Sequence, residues 1–282
     1  MKSLFTLALE VPVEWQAVTN GAIGKTDTIS VPGRKIISFK ETEPLSTYLF
    51  AFTAGKFIRE TYTRDGREIS IYHRETEPKK IAQCPDIASE VFDALAWLED
   101  YTAVPYPFAK YDLIILPGFQ FGGMEHTGAT FYTDRRMFLN ENPTLNEQLS
   151  RSALIAHETA HMWFGDYVTM KWFDDVWTKE VFANYFASQI VEPLYPNINH
   201  ALNFMQDYIP PAYSEDRTAG ANPIKQDLDN LRNAGLVYGN IIYDKSPVVL
   251  EMLIKKMGKE AFRKGIQEYL KHMLTEMQPG KD

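Results

Sequence analysis

Cysteine is nearly absent from this chain of 282 residues, Cys84 being the only one. A single thiol excludes an internal disulfide framework and, on the same count, a thiolate metal site. It leans towards a reducing compartment, but a periplasmic protein without disulfides looks the same, so cytoplasmic and exported locations both stay open. Basic excess is missing as well: 29 Lys and Arg face 37 Asp and Glu, a net charge of −8 with no basic cluster. That argues against nucleic acid as a partner and against an anionic membrane surface. No apolar run approaches the roughly 18 residues of a membrane helix. The opening stretch Met1–Leu9 is broken by Thr6, closed by Glu10 and followed by no small-residue cleavage site, so it reads as a strand and not a signal peptide. Internal repeats and low-complexity tracts are also lacking. What remains, 45% hydrophobic and 23% charged, is a globular composition long enough for one large domain or two ordinary ones.

From Leu4 to about Thr63 the pattern is mostly β. Phe5, Leu7, Leu9 and Val11 alternate with Thr6, Ala8 and Glu10 at the period of a half-buried strand. Asn20-Gly21 and Pro32-Gly33 are turn signals, and Lys35–Lys40 and Tyr48–Phe52 read as further strands. Arg64-Asp65-Gly66 is another turn and the candidate domain boundary. Ile69–Tyr72 starts a new strand. Asp86–Tyr101 reads as a helix with Ile87, Val91, Ala94 or Leu95, and Leu98 on one face. Leu113–Leu116 is a continuous apolar run suited to a buried strand. Residues 142–165 hold a helix, with Thr144 and Glu147 as a capping box and Gly165 as its stop. Asp174–Val191 forms a second helix ended near Pro193. Loops with short helices fill 195–235. Ser246-Pro247 opens a helix to Met257 with Ser as its cap, and Lys259–Leu274 makes the last.

Within the first long helix lies His157-Glu158-x-x-His161. Histidines at i and i+4 sit one turn apart on one face, so their ring nitrogens converge on one ion. Glu158, beside the first histidine, faces the open side of that ion and handles protons. Two neutral imidazoles suit Zn²⁺, which takes a third protein ligand and leaves a fourth place for water in a catalytic site. Short motifs recur by composition, and an amphipathic helix with two surface histidines looks alike until context is added. Glu180 supplies that context, nineteen residues beyond His161 on the second helix, where a helical hairpin brings it over the histidine face. His126, His73, His200 and His272 are read as surface or satisfied histidines and not as ligands.

The stretch from His157 to Glu180 resembles the zinc signature of the M1 family of metallo-aminopeptidases, of the gluzincin group: His-Glu-x-x-His, eighteen residues, then Glu. The likeness runs on through Trp163–Asp166, Val168–Trp172 and Trp177–Glu180. A second family motif, Gly-x-Met-Glu-Asn, is matched by Gly122-Gly123-Met124-Glu125-His126. A third, Tyr-x-Lys-Gly, is matched by Tyr243-Asp244-Lys245-Ser246. Three motifs in family order make the resemblance specific from Phe121 to Ser246, and a weaker likeness covers the rest. It implies one Zn²⁺ per chain held by His157, His161 and Glu180, with Glu158 as general base. It also implies Glu125 on the free α-ammonium of the substrate, the backbone of Gly122, Gly123 and Met124 along the extended peptide, and Tyr243 at the oxyanion. Tyr238 is a rival to Tyr243 five residues earlier, but only Tyr243 carries the Asp-Lys continuation.

The fold implied is α+β: a thermolysin-like zinc peptidase domain of a small mixed sheet plus helices at 64–282. It would be preceded by part of a β-sandwich or saddle domain at 1–63. The implied function is an aminopeptidase acting on peptides with a free N-terminus through a zinc-activated water. His126, Val181 and Ser246 stand where the family commonly has Asn, Gly and Gly. The resemblance also implies a fragment, with part of the N-terminal β domain and a helical C-terminal domain expected outside this chain. That keeps a second reading alive: a zinc-containing module that binds peptides with little or no turnover in isolation. A third, epoxide hydrolysis on the same zinc site, rests on one family member.

Overall fold

The computed structural model describes residues 2–28, 31–233, 235 and 238–276. Met1 and 277–282, the outer ends of the two expected segments, lie outside the described residues. Helices and strands both contribute, so the chain is a mixed α and β protein. It divides into two compact units, residues 1–93 with 107–158 and residues 94–106 with 159–282. Of the three dividing lines, those after residues 93 and 158 fall inside helices.

The first unit begins with the alternation read from the sequence: Phe5, Leu7, Leu9 and Val11 are the covered positions, and Thr6, Ala8 and Glu10 the exposed ones. Strands β1 (Lys2–Ser3) and β6 (Leu45–Ser46) form one short antiparallel pair. Strand β2 (Ala8–Pro12) pairs antiparallel with β5 (Arg34–Phe39), which also pairs with β4 (Ile23–Thr28). Strand β3 (Gln16–Thr19) pairs antiparallel with β7 (Phe52–Gly55). Val11, Ala17, Ile37 and Phe39 close a core between these strands. The strand expected over Tyr48–Phe52 is instead a 3-10 turn at Thr47–Leu49 followed by β7. The cause is Asn20, buried, whose Nδ2 donates to Leu49 O and Thr127 O, each at 2.9 Å. Its Oδ1 accepts from Ala51 N–H at 2.9 Å. Those bonds occupy the backbone groups that a ladder through Leu49 and Ala51 would need.

A five-stranded sheet carries the rest of this unit, in the order β11-β12-β10-β9-β8. Strands β8 (Ile58–Arg64) and β9 (Arg67–His73) form a hairpin whose turn puts Asp65 and Gly66 at φ 51° and 78°. A short helix α1 (Pro78–Ile81) and the long α2 (Cys84–Thr102) then cross over, so β10 (Tyr111–Leu116) runs parallel to β9. Parallel neighbours need such a crossover, and central strands covered on both faces read as continuous apolar runs. Ile69, Ile71, Leu113, Ile114 and Ile115 are accordingly buried. On α2, Ile87, Val91, Ala94, Leu95 and Leu98 are fully covered, the face expected from their spacing. Strand β11 (Gly123–Met124) pairs antiparallel with β12 (Thr130–Thr133) and forms an outer edge of the sheet. A one-turn helix α3 (Asp134–Met137) leads on to α4 (Leu145–His161). The capping box is present: Thr144 N–H donates to Glu147 Oε2 at 2.7 Å, and Glu147 N–H to Thr144 Oγ1 at 3.2 Å. Helix α4 stops at His161, before Gly165.

The second unit is helical. A 3-10 turn at Phe173–Asp175 opens α5 (Val176–Val191), whose covered residues fall on nearly every face. A helix apolar all round belongs in an interior. Phe186 on α5 meets Trp97, Tyr101, Phe164 and Phe182. Trp163 is fully buried and donates its indole N–H to Val104 O at 3.0 Å. Helices α6 (His200–Asp207) and α7 (Ile209–Asp216) are the short helices foreseen among loops. A π-helical turn at Ile241–Lys245 runs straight into α8 (Ser246–Met257), followed by α9 (Lys259–Glu276). Ser246 is therefore not a cap. Its backbone is already helical, and its hydroxyl donates back to Ile242 O inside the turn.

Candidate metal centre

Helix α4 carries His157, Glu158 and His161 without interruption. One turn separates the two histidines, and their ring nitrogens lie within 4.8 Å of each other and of a carboxylate oxygen of Glu180 on α5. His161 and Glu180 are 1% and 3% exposed. The ring nitrogen Nδ1 of His161 lies 3.0 Å from Phe164 O. A carbonyl only accepts, so in the neutral ring Nδ1 bears the proton and Nε2 presents its lone pair. That lone pair faces Glu180 Oε2 at 3.6 Å. A buried donor set of imidazole nitrogen and carboxylate oxygen fits zinc.

Residues outside the expected set hold these side chains. Lys179, 5% exposed, places Nζ 3.0 Å from Glu180 Oε1, which leaves Oε2 to His161. The chain leaving α4 bends at Gly165, with φ 133°, and its N–H donates to Val168 O at 2.8 Å. A Cβ at Gly165 would stand 3.3 Å from both His161 Nδ1 and Lys179 Cδ. Sequence reasoning took Gly165 for a plain helix stop and gave Lys179 no role. A lysine inside the apolar run of α5 was the signal for the second.

The carboxylate pair comes from the first unit. Glu125 and Glu158 are 3% and 4% exposed. A carboxylate oxygen of each lies within 4.8 Å of the other and of a His161 ring nitrogen. Two close, buried carboxylates favour a cation or a shared proton beside them. Gly123 on β11 passes directly over Glu158: an added Cβ would meet Glu158 Oε1 at 2.3 Å and its Cγ and Cδ at 2.7 Å. Only glycine lets this strand approach so closely. Gly122 O accepts from Thr133 N–H at 3.0 Å, and Met124 lies opposite Phe131. Tyr132 is buried between Tyr111 and Glu158, and burial followed by those neighbours pushes its phenol well above the ordinary range.

Tyr243 stands on the π-helical turn beside α5, where Asn184 Nδ2 donates to its carbonyl at 3.4 Å. Its side chain is 37% exposed and its ring lies 6.1 Å from that of Tyr238. His126 is satisfied by Leu49 O at 3.1 Å, and His200 Nε2 by Tyr195 O at 2.9 Å. Val181, 1% exposed, fills a core position on α5. His73 departs from what was expected of it. It is fully buried, and its Nε2 has no hydrogen-bond partner.

Comparison with known proteins defines the class. The profile of the Peptidase family M1 domain matches residues 88–280. The chain belongs to peptidase family M1. It is 31% identical over 283 residues to the probable aminopeptidase 1 of Sulfurisphaera tokodaii, covering 100% of this chain and 35% of that protein. Puromycin-sensitive aminopeptidase of Caenorhabditis elegans is 32% identical over 273 residues, covering 96% and 28%. Glutamyl aminopeptidase of Sus scrofa is 30% identical over 272 residues, covering 96% and 28%. The chain thus spans between 28% and 35% of the length of these curated relatives.

Proposed function

We propose that this chain is the zinc-dependent catalytic part of an aminopeptidase that removes single residues from peptides with a free N-terminus. The observation that carries the reading is the His157, His161 and Glu180 triad with the Glu125 and Glu158 pair beside His161. Family membership and relatives named as aminopeptidases point the same way. We assign the thermolysin-like domain to 64–282 and the end of a preceding β domain to 1–63.

His157 and His161 supply neutral nitrogens and Glu180 one oxygen, with Lys179 holding the other oxygen aside. Bound there, zinc supplies Lewis-acid polarisation of the scissile carbonyl and acidifies a water. Glu158, buried under Gly123, takes a proton from the attacking water and returns it to the leaving amine. Negative charge gathers on the former carbonyl oxygen, where the Tyr243 hydroxyl donates a hydrogen bond. Glu125 pairs with the α-ammonium of the substrate and offers nothing to an internal peptide bond, which restricts cleavage to the chain end. The peptide runs extended along the outer edge of the sheet at Gly122, Gly123 and Met124.

The test is hydrolysis of aminoacyl anilides with free and N-acetylated amino groups, alongside metal analysis. Cleavage of the free substrates alone, by a chain holding zinc, is expected. Equal cleavage of both would remove Glu125 from its role. Zinc and peptide bound without turnover would select the binding-module reading instead.

A further inference from the structure

A second cluster of ligand-type side chains lies in the first unit, apart from the residues assigned above. Glu60 comes from β8, His73 from the last position of β9, and Cys84 from the first position of α2. Pairing sets Ile58 opposite His73 and Glu60 opposite Ile71, so Glu60 and His73 are diagonal neighbours on one face of the hairpin. One ligand atom from each of the three residues lies within 4.8 Å of the others. His73 and Cys84 are fully buried, while the Glu60 side chain is 28% exposed and opens the cluster to solvent.

From this geometry we infer that Glu60, His73 and Cys84 form a second metal site, for a borderline-to-soft divalent cation such as zinc or cadmium. The exclusion of a thiolate metal site drawn from the single cysteine is thereby narrowed: it rules out a site built from several thiolates but not a mixed one. Thiolate, imidazole and carboxylate together are a donor set for such ions. The independent sign is His73. Its Nε2 is buried with no hydrogen-bond partner, 3.9 Å from Glu60 Oε1. Buried polar atoms in native proteins are satisfied in the great majority, and an exception calls for an ion, a water or a functional reason. Phe138 packs edge-on against the ring at 5.7 Å and fixes its plane. The hydroxyl of Tyr62 donates to Glu60 Oε2, which leaves Oε1 on the side of His73.

Metal binding requires two proton movements. In the metal-free chain Nδ1 of His73 accepts from Glu75 N–H at 3.2 Å, so the neutral ring carries its proton on Nε2. Ligation through Nε2 shifts that proton to Nδ1 and gives up the local bond to Glu75. Burial, and then the neighbouring Glu60, push the Cys84 thiol up to about 12, so the free thiol keeps its proton. That proton leaves to solvent when the thiolate meets the cation.

Cadmium titration of the metal-stripped full chain tests the site, because a thiolate-to-cadmium charge-transfer band in the ultraviolet reports on the single cysteine alone. The centre at His157, His161 and Glu180 contains no sulfur and stays silent. A band that saturates by two equivalents of cadmium, one for each centre, is expected. It should vanish in Cys84→Ser, and half-saturation should need at least tenfold more cadmium in His73→Gln and in Glu60→Gln. Elemental analysis should find one bound metal fewer in Cys84→Ser than in the parent chain. No band by two equivalents, or unchanged affinity in both the His73 and Glu60 variants, overturns the proposal. Should Cys84→Ser fail to fold, the parent titration and the partly exposed Glu60→Gln still decide.

Discussion

His157 and His161 come from one helical turn and Glu180 from the next long helix, whereas Glu60, His73 and Cys84 come from two paired strands and the start of a third element. The first triad inherits its geometry from the helix: a rise of about 5.4 Å per turn fixes where two of the three nitrogen and oxygen donors stand. In the second, strand pairing sets Glu60 diagonal to His73, and the crossover into α2 brings Cys84 to both. Helical ligands are also held from behind, His161 by Phe164 O and Glu180 by Lys179. In the strand-built cluster Tyr62 holds Glu60, while His73 has its outward nitrogen without a partner. On the proposed readings, one arrangement is set for an ion in advance, and the other must move a proton before it binds one. Substitutions can be chosen to separate the two.

The largest effect is expected from Glu180→Gln. An amide cannot replace the anionic oxygen facing His161, and Lys179 Nζ loses the carboxylate oxygen 3.0 Å from it. Zinc affinity at the helical centre should fall beyond the ~10–100-fold that loss of an outer supporting residue produces, and peptide hydrolysis should fall with it. The charge-transfer band of the Cys84 site should be unchanged. If both signals disappear together, the two triads are not independent.

Glu158→Gln comes next. It keeps the shape beneath Gly123 and the proposed metal ligands, but removes the carboxylate proposed to accept a proton. A loss of ~10²–10⁴-fold in kcat is expected, the range for removing a general base. Zinc content, measured on the same preparation, should stay at the parent level. Full activity would place the base elsewhere.

The difference between the triads also explains what the sequence could and could not tell. Spacing along α4 made His157, Glu158 and His161 legible, because a helix converts separation in sequence directly into separation in space. Ile87 to Leu98 on α2 and the alternation of Phe5 to Val11 were legible for the same reason. The second triad was not, since a hairpin register and a crossover decide which residues meet, and neither leaves a local period. The misread strand at Tyr48–Phe52 has a similar origin. Its apolar residues suit a strand, but Asn20, roughly thirty residues earlier in the chain, takes the backbone groups at Leu49 and Ala51. Ser246-Pro247 looked like a helix start, and only the preceding π-helical turn makes Ser246 an interior residue.

A smaller effect tests how closely the first site is fitted. Gly123→Ala places a methyl 2.3 Å from Glu158 Oε1. The methyl overlaps Glu158 from its carboxylate back to Cγ, so the side chain must leave its position. A misplacement of about 1 Å costs on the order of 10²-fold in rate, with KM and thermal stability changing far less. A variant with parent kcat would show that Glu158 works from more than one position. The second cluster offers no counterpart, since no glycine among the described residues presses on Glu60, His73 or Cys84.

The smallest effect separates burial with a ligand role from burial alone. Glu60 and Glu180 are each engaged by a donor, Tyr62 or Lys179. Asp244 is not: burial raises its carboxyl from the ordinary 3.8 to about 6. The adjacent Lys245 is turned to Asp216 and Asn222 O. A folded-state value above the unfolded one means that the native fold prefers the protonated acid. Its contribution is therefore full below pH 3.8 and is lost as pH rises through about 6. Asp244→Asn carries no charge and escapes that loss. Allowing for screening at a partly exposed group, the variant should melt about 2–4 °C above the parent at pH 7.5, the shift that ~1 kcal/mol gives in a chain of this size. The gap should close as pH is lowered towards 4, read by thermal melts across that range. A gap that persists unchanged at low pH would mean that the amide gains by packing and not by removing a charge.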